Sequence, residues 1–92
     1  MVHDRVRIDS LEGSKQIRNF CWEMAKKLAL ELESVSWTTD LIEPHQKYIL
    51  TIIAKTGSTE IAFRREDIED YPGGLGAEKT NARIKSELEN IL

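Results

Sequence analysis

The feature of the sequence that most constrains its fold is a change in the spacing of its apolar residues after Glu33. The preceding apolar residues recur at intervals of three and four, which line one side of an α-helix. They are Ile17, Phe20, Cys21, Met24, Leu28 and Leu32. The following apolar residues alternate with polar ones, which is typical of a β-strand with one buried face. The pattern predicts a helix that packs against a sheet.

Three strands are predicted after this helix. Val35 and Trp37 share one face of the first strand, and the segment from Tyr48 to Ala54 alternates along a central strand. The dipeptide Gly57-Ser58 predicts a hairpin turn in which the glycine adopts a positive φ. The pairs that follow from this turn are Ala54 with Ile61, Ile52 with Phe63 and Lys55 with Glu60.

A second amphipathic helix is predicted at the end of the chain, after a short helical turn over residues 66–71. Its apolar stripe consists of Ala77, Ile84, Leu88 and Ile91. Ser14 is the predicted cap of the first helix. We therefore expect an α+β two-layer sandwich of αβββα order, a three-stranded antiparallel meander with both helices on one face. Residues 1–92 are expected to form one domain, with residues 1–12 as a loosely packed N-terminal segment.

The composition limits the classes of function. Thirteen Lys and Arg against sixteen Asp and Glu give a net charge of −3, so any nucleic-acid binding requires a local basic face. One cysteine cannot form an internal disulfide, and we expect no metal and no cofactor. The chain has no apolar run near the roughly 20 residues of a membrane span and no secretory signal pattern, which favours a cytoplasmic protein without a membrane partner.

The predicted order and two short motifs resemble the double-stranded RNA-binding domain. The motif residues are Pro44, His45 and Tyr48 in the first hairpin, and Gly74, Gly76, Lys79, Ala82 and Arg83 at the start of the last helix. The resemblance implies that the His45 loop and the first helix reach two minor grooves of an RNA duplex, while the basic helix start meets phosphates. The nucleic-acid-binding residues predicted here are His45, Lys79, Arg83 and Lys85.

The sequence His45-x-x-Tyr48 is also similar to HicA-type mRNA interferase toxins, which place a histidine before an aromatic residue in the same layout. This resemblance implies a ribonuclease in which His45 is a general base toward a ribose hydroxyl. The residues near His45 complete no catalytic constellation, so we name no catalytic residue.

Several apolar side chains fall outside the predicted core and suggest an interaction surface. Trp22 and Leu30 lie on the flanks or back of the first helix, and Ile49 and Ile53 lie on the outer sheet face. Three functions remain as hypotheses: a non-enzymatic module for protein interaction or homodimerisation, a double-stranded nucleic-acid binder, and a ribonuclease toxin. The first is favoured by the acidic charge and the spare apolar residues.

Overall fold

A computed structural model of the chain describes residues 12–40 and 47–92, and it confirms the α+β class and the predicted element order. The elements are α1 (Glu12–Lys27), β1 (Leu32–Asp40), β2 (Lys47–Ala54), β3 (Gly57–Phe63), α2 (Arg65–Asp70), a 3₁₀ turn (Tyr71–Gly73) and α3 (Ala77–Asn90). None of the helices within these ranges is long and apolar enough to cross a membrane.

The three strands form one antiparallel sheet in the order β1-β2-β3. Both long helices contact the same face of it, the face that carries Trp37 and Thr59. On that face, the indole nitrogen of Trp37 donates a hydrogen bond to the Ser14 carbonyl of α1 at 3.0 Å. The Thr59 hydroxyl of β3 donates to the Glu87 carboxylate of α3. Polar contacts therefore join α1 to β1 and α3 to β3.

One hydrophobic core fills the space between the two layers. Its most deeply buried apolar residues are Ile17, Cys21, Leu50, Ile52, Ile68, Ile84 and Leu88. Burial raises the pKa of the Cys21 thiol to about 12, so this side chain is a neutral, small hydrophobe at physiological pH.

The predicted hairpin register is wrong. The two-residue turn consists of Lys55 and Thr56, neither of which has a positive φ, and Gly57 already lies in β3 opposite Ala54. Ile52 pairs with Thr59 instead of Phe63, a shift of four residues. The other predicted pairs, Ala54 with Ile61 and Lys55 with Glu60, are likewise not formed.

The observed register pairs β2 with β3 continuously from Tyr48 to Ala54. Phe63 lies opposite Tyr48 and Ile61 lies opposite Leu50, so large apolar side chains adjoin on the core face. In the predicted register, Tyr48 and Leu50 would face residues that belong to α2. Thr56 also donates a hydrogen bond from its hydroxyl to the carbonyl of Ile91, which attaches the turn to the end of α3.

Helix α1 begins at Glu12, two residues before the predicted cap at Ser14. Gly13 lies inside the first turn, at the point where α1 packs directly on the backbone of α2. A Cβ added at Gly13 would lie 1.8 Å from the carbonyl oxygen of Ile68. The glycine therefore allows a close helix approach rather than delaying the helix start.

Helix α1 ends in a Schellman motif with an unusual residue at its left-handed position. Ala29 has a φ of 56°, its N–H donates to the Lys26 carbonyl, and the Leu30 N–H donates to the Ala25 carbonyl at 2.8 Å. In this motif the residue after the left-handed one packs back onto the last helical turn. Leu30, predicted to lie on an interaction surface, is instead part of the core and only 7% exposed.

The Gly13→Ala variant is expected to lower the free energy of unfolding by about 2 kcal/mol, because overpacking outweighs the gain in helix propensity of about 1 kcal/mol. Urea denaturation measures this change. Gly73→Ala is the matched control, since a Cβ there meets nothing within 4 Å and the glycine is not left-handed. Equal stability of the two variants would contradict the close approach.

The Ala29→Gly variant is expected to raise the free energy of unfolding by roughly 0.5–1 kcal/mol, because glycine removes the cost of a left-handed L-residue. Thermal or urea denaturation measures the gain. Ala82→Gly is the control of opposite sign: Ala82 is an exposed residue of α3, where glycine costs about 1 kcal/mol. Destabilisation by both variants would refute the strained cap.

Candidate nucleic-acid interface

A cleft of about 500 Å³ lies between the end of β3 and the first turns of α3. Four cationic side chains line it, and they come from three separate parts of the chain: Lys47, Arg64, Lys79 and Arg83. Asp67 is the one carboxylate among the residues that line it. A chain with a net charge of −3 thus has a concave surface of opposite sign.

The sheet register brings two of these cations together. The pairing of β2 with β3 ends at Tyr48 opposite Phe63, so the next residues outward are Lys47 and Arg64. The predicted register would have placed Lys47 four residues away from this partner. The cleft is therefore a consequence of the same register that pairs Tyr48 with Phe63.

Helix α3 supplies the other two cations and its N-terminus. Lys79 and Arg83 are four residues apart, so they lie one above the other on an exposed side of the helix. The Thr80 N–H donates to the Gly76 carbonyl, which leaves the N–H groups of Glu78 and Lys79 ahead of the regular helical bonding. Together with the helix dipole, these amides add to the positive potential near the cleft.

Arg83 is held in place by two contacts with the end of β3. One terminal nitrogen of its guanidinium donates a hydrogen bond to the Ala62 carbonyl at 2.9 Å. The guanidinium carbon lies 5.0 Å from the centre of the Phe63 ring, within cation–π range. A guanidinium has five N–H donors, so a single protein hydrogen bond leaves others for a ligand.

Helix α2 contains four acidic residues, and of these only Asp67 lines the cleft. This carboxylate accepts a hydrogen bond from the Arg64 backbone N–H at 3.0 Å, and it thereby caps the start of α2. Glu69 forms an ion pair with Arg65 at 3.2 Å. Hydrogen bonds to Glu69 and to the Tyr48 hydroxyl raise the pKa of Arg65. Asp67, the carboxylate in the cleft, thus already serves to cap the start of α2.

The prediction from the sequence included two of the four cations that line the cleft and did not include the other two. Lys79 and Arg83 line the cleft as a pair, whereas Lys85 does not, because it lies about 200° further round α3 than Arg83. His45 lies outside the described residues, so its predicted roles in RNA contact and in catalysis stay predictions. Lys47 and Arg64 could have been found only from the correct strand register.

The predicted interaction residues do not form one surface. Trp22 is 39% exposed and lies on α1 in the helical layer. Ile53, 38% exposed, and the half-buried Ile49 lie on the opposite, uncovered face of the sheet. The rows across that face are Ser34–Ile53–Ser58, Ser36–Thr51–Glu60 and Thr38–Ile49–Ala62. With Leu30 in the core, two separate surfaces remain.

No family model, curated protein or solved structure matches this chain. The resemblances to the double-stranded RNA-binding domain and to the HicA-type toxins therefore rest on the element order and the short motifs alone. The function is argued below from the surfaces themselves.

Proposed function

We propose that this chain binds the phosphate backbone of nucleic acid through the cleft between β3 and α3, with double-stranded RNA as its ligand. The observation that carries the proposal is the convergence of four cations on one concave surface of an acidic chain. Phosphate contacts supply most of the affinity of proteins that bind nucleic acid without reading its sequence. The duplex is the ligand that the resemblance to the double-stranded RNA-binding domain implies.

Each cation has a distinct task in this proposal. Arg83, already oriented by Ala62 and Phe63, presents a planar fork that matches two oxygens of one phosphate. Lys79 adds a mobile point charge one helical turn earlier. Lys47 and Arg64 extend the positive surface across the ends of two strands, in the direction of a neighbouring phosphate.

The pattern of ion pairs supports a role for these charges in binding. Among the described residues, the ion pairs are Lys55 with Glu31 and Arg65 with Glu69. Neither pair includes a cation of the cleft. Cations that are not neutralised by neighbouring carboxylates keep their full attraction for a polyanion, and they release its counterions on binding.

The Lys79→Gln variant is expected to weaken binding to a ~16-base-pair RNA duplex, and to make the plot of log K against log salt shallower by about 0.9. Fluorescence anisotropy at several salt concentrations measures both quantities. Lys85→Gln is the matched control, with the same charge change on the other side of the same helix. Identical salt slopes for the two variants would refute binding in the cleft.

A second candidate function is self-association through the uncovered face of the sheet. Its central strand presents Ile49 and Ile53. In the three rows through Ile49, Thr51 and Ile53, the neighbours are serine, threonine and alanine with Glu60 as the charged residue, and Lys47 lies in the row beyond Ile49. Small uncharged residues around exposed isoleucines suit a flat contact between two copies of the chain. Ala62 belongs to this face and also lines the cleft, so the two candidate sites adjoin at the end of β3.

For self-association, sedimentation at high micromolar concentration is expected to report a dimer for the natural chain and a monomer for Ile53→Lys, because the lysine charge would be buried in the contact. Leu75→Lys serves as the control, since Leu75 is 71% exposed and lies outside the sheet. A monomeric natural chain at that concentration would exclude the dimer.

A further inference from the structure

Helix α1 carries a second cationic surface that shares no residue with the cleft. Lys15, Arg18 and Lys26 lie at spacings of seven, four and four residues from Trp22. At about 100° per residue, all three project within about 40° of the tryptophan. We call these four residues the Trp22 stripe. Glu12 and Glu23, the acidic residues of α1, lie about 80° or more away from Trp22.

Packing in the hydrophobic core does not account for the presence of a tryptophan at position 22. It is 39% exposed and is not among the partly buried hydrophobic side chains that pack against the core, unlike Phe20 and Met24 on the other flank of α1. The second tryptophan, Trp37, is 5% exposed and has its indole N–H hydrogen bonded. The Trp22 side chain is thus partly open to solvent, and three cations lie on the same side of the helix.

We infer that the Trp22 stripe binds unpaired nucleotides, with a base stacked on the indole and the adjoining phosphates on Lys15, Arg18 and Lys26. Charge complementarity supports this ligand, because none of these cations belongs to the ion pairs found among the described residues. A base is a flat aromatic surface beside a phosphate, which matches an exposed tryptophan flanked by cations. Bases inside a duplex are already stacked, so the site selects single-stranded segments.

An anionic membrane is the other ligand with this charge, and the geometry of α1 disfavours it. Helices that lie in a membrane interface insert a broad apolar face. The apolar face of α1, with Ile17, Cys21 and Ala25, is buried in the core. One tryptophan alone offers too little apolar area for stable insertion.

The test is a fluorescence titration of the full chain with a ~12-nucleotide oligouridine. Stacking is expected to quench the emission of Trp22, and Trp22→Ala is expected to weaken binding about tenfold, the effect of losing one stacked base. Trp22→Phe retains an aromatic face and should restore most of the affinity. In the free chain, iodide should quench one of the two tryptophans, because Trp37 is buried.

Two neighbouring lysines provide the charge control. Lys26→Gln is expected to make the salt dependence shallower by about 0.7, the value for one single-strand phosphate contact. Lys27→Gln carries the same charge change but lies about 140° from Trp22, and its slope should stay unchanged. Because these residues are exposed, the variants should keep the melting temperature of the natural chain.

Three results would overturn the inference: unchanged oligouridine affinity in Trp22→Ala, a free chain in which iodide reaches neither tryptophan, or quenching by phosphatidylserine vesicles but not by oligouridine. The cleft and the Trp22 stripe are tested with different ligands. Lys79→Gln is expected to weaken binding of the RNA duplex, and Trp22→Ala is expected to weaken binding of the single strand. Duplex binding without single-strand binding would therefore refute the stripe and leave the cleft intact. The reverse result would refute the cleft alone.

Discussion

The contact between Trp37 and Phe63 joins the parts of the molecule on which everything else depends. Their ring centres are 5.5 Å apart and tilted by 57°, a favourable geometry for two aromatic side chains. From Trp37, the hydrogen bond to the Ser14 carbonyl reaches α1. From Phe63, the cation–π contact reaches Arg83 of α3. One aromatic pair in the sheet thus positions both long helices, and the binding cleft inherits its shape from the core.

The periodicity of the apolar residues was sufficient to predict the elements and the faces that they bury. Val35 and Trp37 on one strand, and Ile84 and Leu88 on the last helix, are all buried as their spacing indicates. The hairpin register could not be obtained in this way. A shift of four residues keeps the same side chains inward, so alternation supports both registers equally. The pairing of Tyr48 and Leu50 with β3 and the hydrogen bond from Thr56 to the end of α3 decide between them, and these are tertiary contacts.

The same reasoning separates the predicted and the missed residues of the cleft. Lys79 and Arg83 are neighbours through helical spacing, which is local and visible in the sequence. Lys47 and Arg64 meet only because two strands pair in one particular register. Leu30 was predicted to be exposed but is buried. Its burial follows from the left-handed conformation of Ala29, which cannot be predicted from an alanine in the sequence.

The anchoring of Arg83 has a consequence for the thermodynamics of association. A free arginine side chain loses about 2 kcal/mol of rotamer entropy when it becomes ordered. Here the Ala62 carbonyl and the Phe63 ring already restrict that freedom in the folded chain. The entropy is lost during folding, where the core compensates for it, and not when a phosphate arrives. A small cleft with few contacts can in this way hold an anion more tightly than its size suggests.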